Sequence, residues 1–258
     1  MYKEDISGKI VFVSGASSGI GEAVAKMLAS NGVNLILTAR RIDKLESLKN
    51  SLEKEYKIKV KTIKIDFSKS DDIVNALNSL EDDWKNIDIL INNAGLALNK
   101  DVYSNNLLED ILQMIRVNCE GLITATRMLI PFILKSSHGH IINISSTAAD
   151  EAYSGGAIYC ATKSFVEMFA NAIRIELVDK PVKVTNIKPG LVNTEFSTVR
   201  FKGDKEKADN VYKGLKPLYA EDIADNIEYV ITRKNHVQIS SMTIMAENQA
   251  TATIAYRK

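Results

Sequence analysis

Apolar and polar positions along this chain fall into blocks of two alternating kinds. "KIVFVSG" is a short run rich in β-branched residues, and "GIGEAVAKMLASNG" after it has helical spacing and ends at Gly32. "VNLILTA" reads as a strand and "RRIDKLESLKNSLEKEYK" as a helix. "IKVKTIKID" is a third strand, and "SDDIVNALNSLEDDW" a helix with acids in its first turn. "IDILINN" is followed by "LLEDILQMIRVNCEGLITATRMLIPFI", which predicts one long helix reaching Pro131. "GHIINISS" precedes a helix in which Phe165, Phe169, Ile173 and Leu177 recur every four residues. "VKVTNIKPG" is a sixth strand, "AEDIADNIEYVITRK" a late helix and "MTIMA" the last strand. Strands alternating with helices over this length predict an α/β fold: one doubly wound parallel sheet of about seven strands, a Rossmann fold with helices on both faces. With four prolines in 258 residues and no Gly/Ser-rich linker, the expectation is a single domain over 1–258.

Composition narrows the function classes. A net charge of +1 points to neither nucleic acid nor an anionic membrane. Cys119 and Cys160 do not form a C-x-x-C pair, so two thiols in a reducing compartment are expected. The start "MYKEDISGKIVFV" has charges where a signal peptide would be apolar, so a cytoplasmic location is expected. His138 and His140 have no third ligand at a suitable spacing, and no metal is expected.

In such sheets ligands bind outside the carboxyl ends of the strands. The first strand runs into "VSGASSGIGEAV", with Gly15, Gly19 and Gly21 in a tight turn. The following helix offers free N–H groups and a positive dipole end to a pyrophosphate. Glycine turns also occur without nucleotides, but one opening a βαβ unit favours a dinucleotide. The second strand ends "LTARR". An acid there would bond a ribose 2′-hydroxyl, whereas Arg40 and Arg41 suit a 2′-phosphate, so NADP is expected over NAD. Asp66 ends the third strand, facing an adenine edge. Asn93 and Gly95 end the fourth, where an Asx-type turn is the other explanation for the asparagine. Pro189 and Gly190 end the sixth.

Tyr159 and Lys163 stand four residues apart, on one face of a helix. Alone, the pair reads first as an ordinary amphipathic surface, because such pairs are common on helices. The ordered set "SGASSGIG", "NNAG", Asn118 in "RVNCEG", Ser146 in "NISSTAA", "YCATK" and "PGLVNTEF" nevertheless resembles the short-chain dehydrogenase/reductase family over nearly the whole chain. Ser14 stands where that family usually has threonine, and the hydroxyl is kept. The resemblance implies four catalytic residues: Asn118, Ser146, Tyr159 and Lys163. Tyr159 would be the general acid/base, brought down from a pKa of about 10 by Lys163 and the positive nicotinamide. Ser146 would hydrogen-bond the carbonyl oxygen, and Asn118 would hold a water relaying protons to Lys163. NADP(H) would lie against Gly15, Ser17, Ser18, Gly19, Ile20 and Gly21, Arg40 and Arg41, Asp66 and Phe67, Asn93, Ala94 and Gly95, Tyr159 and Lys163, and Pro189, Gly190, Val192 and Thr194.

The last third is similar to the NADP-dependent serine/3-hydroxy acid dehydrogenases, in "GLVNTEFSTVRFKGDKEKADNVY", "PLYAEDIADNI" and "NQA". Met245-Ala246 stands before "ENQA" where relatives usually carry proline. The similarity implies a homotetramer and a small 3-hydroxy acid substrate of the L-serine, L-allo-threonine or 3-hydroxypropionate class, bound by Ser146, Tyr159 and Arg200. A substrate-covering segment is expected over about 193–215, with Gly203 as a hinge and Lys202 adding a charge. A neutral-ketone or ketoacyl reductase and a non-catalytic NADPH-binding regulator are the competing readings. Arg200 and Lys202 favour an acid, and the complete tetrad favours turnover.

Overall fold

The computed structural model describes residues 3–258. Seven strands, β1 (Ile10–Ser14), β2 (Asn34–Ala39), β3 (Val60–Lys64), β4 (Ile89–Asn92), β5 (Gly139–Ile144), β6 (Val182–Pro189) and β7 (Ser241–Ile244), form one sheet in the order β3-β2-β1-β4-β5-β6-β7. All six pairings are parallel. Successive side chains point to opposite faces of a strand. Thus Val11 and Val13 enter one buried core with Leu35 and Leu37, while Phe12 enters the other with Ile36 and Leu90. Both faces are therefore covered, which explains why the strands read as continuous apolar runs. The chain moves outward from β1 to β2 and β3, then returns to place β4 on the other side of β1. This reversal opens a crevice at the carboxyl ends of β1 and β4.

Helices α1 (Gly19–Ser30), α2 (Ile42–Glu55), α3 (Ser70–Asn78), α4 (Leu108–Ile115), α5 (Leu122–Ile133), α6 (Ala157–Glu176), α7 (Glu195–Arg200), α8 (Lys205–Asn210) and α9 (Ala220–Ile231) complete the element order. Three expectations change. The acid-led helix stops at Asn78, and Asp82–Trp84 is a separate 3-10 turn. The single long helix is instead α4 and α5 joined by a π-helical stretch, Arg116–Gly121, and α5 runs on past Pro131. Finally, the buried face of α6 is Tyr159, Cys160, Thr162, Lys163, Val166, Ala170 and Ile173. Steps of four overshoot the 3.6-residue turn by about 40° each, so a row at that spacing drifts across the helix. Phe165 consequently lies outside, stacked on Phe169 at 6.1 Å between centroids.

Among the described residues no helix is long and apolar enough to cross a membrane, and no three His, Cys, Asp or Glu side chains cluster to hold a metal. His140 is buried on β5, and that burial holds its pKa down at about 3. Both cysteines are free.

Candidate active site

The crevice at the switch in strand order has a volume of about 330 Å³. Its floor begins where β1 turns into α1. Gly15 has φ +67°, and a Cβ there would stand 2.9 Å from the Ala94 Cα. Gly21 lines no part of the crevice, but the Gly15 carbonyl and the Asn93 Nδ2 occupy the place of its Cβ. The turn is locked from β4. Ser14 Oγ accepts from the N–H groups of Asn93 and Ala94, both at 2.9 Å, and Asn93 Nδ2 donates to the carbonyls of Ser14 and Gly15 at 2.9 and 3.0 Å. The serine hydroxyl thus joins two strand ends. A Gly21→Ala chain is expected to lose about 1–3 kcal/mol of stability by overpacking. Its thermal midpoint and its dinucleotide affinity should fall together, as read by calorimetry and cofactor titration.

Arg40 and Arg41 border the crevice beyond the glycine turn. Arg41 is held from three sides. It donates to Ser17 Oγ at 3.0 Å and Ser18 Oγ at 2.7 Å, and pairs with Glu195 at 2.9 Å. Lys44 pairs with Glu195 at 3.0 Å. Hydrogen bonds from Arg41 and then Lys44 bring the Glu195 carboxyl down to about 2. Asp66 lies across from them. Burial raises its carboxyl, but the N–H and hydroxyl of Ser68, with Arg40 and Lys69 nearby, outweigh this and hold it below the ordinary range.

The other end is built by β5, α6 and the π-helical stretch. Ser146 follows β5 and caps the short turn Thr147–Ala149, its Oγ accepting from the Ala148 N–H at 3.1 Å. The same side chain lies near the Tyr159 phenol and favours its ionised form. Lys163 Nζ donates to the Ile144 carbonyl at 2.8 Å and lies 5.8 Å from the Tyr159 ring centroid. Burial raises the Tyr159 phenol well above its ordinary value. Ser146 and Arg200 oppose that rise, while Tyr153 and Cys160 add to it. In the chain alone Lys163 is held by the backbone. Its ammonium is aimed at a backbone carbonyl, and burial takes it to about 8 against pulls upward from Cys119 and Glu167.

Asn118 sits in the π-helical stretch and clasps the loop after β4. Its Oδ1 accepts from the Leu96 N–H at 2.9 Å, and its Nδ2 donates to the Leu96 carbonyl at 2.8 Å. It does not line the crevice, but Asn118 Oδ1 and Lys163 Nζ stand 3.4 and 3.5 Å from where a Gly95 Cβ would be. That space is open to a ligand only because residue 95 is glycine.

Every expected cofactor or catalytic residue lines this crevice except Gly21 and Asn118. Arg200 borders it instead. Its Nε donates to the Asn99 carbonyl at 3.1 Å and its Nη2 to the Tyr153 hydroxyl at 3.3 Å, with its Cζ 5.7 Å from the Tyr159 ring centroid. The segment around it forms α7 and α8, and Phe196 packs on Tyr159 at 5.8 Å between centroids. Lys202 is a correction. Its ammonium is spent on the buried Asp110 at 2.8 Å, which also accepts from Asn99 Nδ2 at 2.7 Å. Sequence reasoning missed Glu195, Tyr153 and Lys100, because which loops meet depends on strand order. It also left Gln249 unassigned: its Oε1 accepts from the Leu191 N–H at 2.9 Å and stands against Gly190.

A dinucleotide suits this arrangement. The glycine turn bares backbone, two cations stand at one end, and the space over Gly95 leads to Lys163. Fold and site together define a dinucleotide-binding α/β protein whose crevice ends in a Ser-Tyr-Lys cluster. A family model described as short chain dehydrogenase matches residues 9–205. The chain belongs to that family. It is 41% identical over 254 residues to an NADP-dependent 3-hydroxy acid dehydrogenase of Schizosaccharomyces pombe, covering 98% of each chain. It is 39% identical to a serine 3-dehydrogenase of Agrobacterium fabrum, covering 96% of this chain and 97% of that one. Among solved structures, the closed form of a serine dehydrogenase complexed with NADP+ superposes with a TM-score of 0.90 at 40% identity, covering 96% of this chain and 99% of the other.

Proposed function

We propose that this chain is an NADP-dependent oxidoreductase that interconverts the hydroxyl and carbonyl forms of a small 3-hydroxy acid. When bound, NADP(H) supplies or accepts the hydride. Tyr159 takes the proton from the substrate hydroxyl during oxidation and returns it during reduction. Ser146, close to the same phenol, donates to the substrate oxygen as negative charge develops on it. Burial favours the protonated phenol, so Tyr159 is set as the acid for reduction. Oxidation needs the phenolate, which the Lys163 ammonium stabilises while it stays charged. That charge is lost as pH rises through about 8 in the chain alone. Asn118, near Lys163 across the space over Gly95, holds a water that passes protons outward.

The observation that carries the substrate class is the Arg200 guanidinium, 5.7 Å from the ring of the proton-transfer residue. Its Nη1 has no hydrogen-bond partner among the described residues and is available to a carboxylate. The segment 193–215 covers the substrate, with Phe196 closing over Tyr159. Removing one charge-assisted bond costs about 1.5–3 kcal/mol, so Arg200→Ala is expected to raise KM for 3-hydroxypropionate about tenfold or more. It should spare the neutral 1,3-propanediol. An equal change for both substrates would limit Arg200 to shaping the segment.

The reading includes a cytoplasmic homotetramer formed from the one domain, 1–258. Exposed apolar side chains on α4 (Leu108, Leu112, Ile115) and α6 (Phe165, Met168, Ile175) support self-association, and two unpaired cysteines fit a reducing compartment. Sedimentation should give a particle of four 28.5 kDa chains.

A further inference from the structure

Lys100 and Arg200 share the Tyr153 ring beside the substrate end of the crevice, and the charge of Arg257 reaches Lys100. Asn99 and Lys100 lie on the loop after β4, Tyr153 on the loop before α6, and Arg200 at the end of α7. Asn99 and Arg200 are tied twice, the Asn99 N–H donating to the Arg200 carbonyl at 2.9 Å and Arg200 Nε to the Asn99 carbonyl at 3.1 Å. This tie brings Lys100 alongside. Lys100 Nζ stands 6.0 Å from the centroid of the Tyr153 ring, and the Arg200 Cζ stands 5.9 Å from the same centroid. Arg257 approaches from the end of the chain, its Nη1 donating to the carbonyls of Val211 and Lys213 at 2.9 and 2.8 Å. Burial weakens the Lys100 ammonium first, and then the charges of Arg200 and Arg257 do so.

Neither cation on the Tyr153 ring, nor Arg257, forms an ion pair with a carboxylate among the described residues. Asp101, next to Lys100 in the chain, forms no ion pair with it, and acids on the neighbouring elements are engaged elsewhere. Asp110 is paired with Lys202 at 2.8 Å, and Asp150 with Lys188 at 2.8 Å. Glu151 accepts from the Ala252 N–H at 3.1 Å, and Glu195 is paired with Arg41 and Lys44 at the far end of the crevice. Among the described residues no carboxylate lies within 4.0 Å of Lys100, Arg200 or Arg257. A substrate carboxylate is welcome there. An ammonium on the adjacent carbon is not, because it would enter the field of cations that no carboxylate is paired with.

We infer that Lys100 and Arg200, with the charge of Arg257 behind them, form a cationic rim without carboxylate ion pairs that makes this enzyme select 3-hydroxy acids without an ammonium group over L-serine. Lys100 is the specificity-determining member, since no hydrogen bond or ion pair among the described residues holds its ammonium and it adds charge without the fork geometry of Arg200. The inference rests on the proposed 3-hydroxy acid reading and narrows it.

L-glycerate is the matched probe, because it replaces the ammonium of L-serine by a neutral hydroxyl of similar size. The experiment measures kcat/KM with NADP+ for oxidation at C3 of L-glycerate, 3-hydroxypropionate and L-serine, with 1,3-propanediol as the neutral reference. Both non-amino acids are expected to exceed L-serine about tenfold or more. Lys100→Gln should shrink the glycerate-to-serine ratio severalfold while NADPH affinity, read by titration, stays at the unsubstituted value. Equal use of glycerate and serine, or a ratio untouched by Lys100→Gln with cofactor binding intact, overturns the inference and leaves the acid substrate in place. If the diol is used as well as the acids, the 3-hydroxy acid reading itself fails, and the two failures are distinguishable in one data set.

Discussion

Tyr159→Phe is expected to lower turnover by about 10²–10⁴-fold in both directions, the scale of a positioned general acid/base. The substitution removes one oxygen and keeps the ring. That ring belongs to a buried apolar cluster and packs on Phe196 at 5.8 Å between centroids, so the fold should hold. Lys163 keeps its bond to the Ile144 carbonyl, and the glycine turn is untouched, so NADPH should bind as before. The loss is therefore one of proton transfer. It should fall on kcat and kcat/KM alike, since the interaction is realised in the transition state. The pH profile is a second readout. Oxidation by the unsubstituted enzyme should accelerate as pH rises while Lys163 stays charged, up to about pH 8, and that limb should be missing from Tyr159→Phe. Purified variant with NADPH affinity intact and turnover within about threefold of the unsubstituted enzyme would remove Tyr159 from the mechanism.

What could be read from the chain alone follows from how local each signal is. The strands were visible because both faces of the sheet are covered, leaving unbroken apolar runs such as "VFV" and "LIL". The glycine turn, Tyr159 and Lys163 were visible because their geometry is fixed within one turn of chain. Asn118 was found by its motif, but the π-helical stretch that carries it was not. A single extra residue in a helical repeat leaves no break in apolar periodicity. The face of α6 was misread for the same reason, since a four-residue row only approximates a 3.6-residue helix. Partners far apart in sequence were the least legible. Glu195 meets Arg41 across 154 positions, and Arg200 meets Asn99 across 101. Lys202 looked like a free cation because Asp110, which neutralises it, lies on a helix that only the strand order brings near. Charge in a sequence can be counted, but whether a charge is already satisfied is a property of the fold.

The arginine pair makes the second large effect, and the two members are not equivalent. Arg40 forms no hydrogen bond or ion pair with the protein among the described residues, and its charge helps hold the Asp66 carboxyl down. Its guanidinium is free for a 2′-phosphate. Arg41 is occupied by Ser17, Ser18 and Glu195, so it braces the glycine turn and offers the phosphate only what Glu195 releases. Charge-assisted bonds are worth about 1.5–3 kcal/mol each, less where solvent and salt screen them, as here at the rim. Arg40→Ala should weaken NADPH about tenfold. Arg40→Ala with Arg41→Ala should weaken it about 100-fold, with NADH changed no more than about threefold. Glu195→Gln separates bracing from competition. It removes the anion that holds Arg41, so NADPH should tighten a few-fold at low salt, and the gain should fade as salt rises. Titration of both cofactors against all three variants measures this. Parallel weakening of NADPH and NADH in the double variant would mean that the arginines only support the loop, and the preference for the phosphorylated cofactor would then have to lie elsewhere in the crevice.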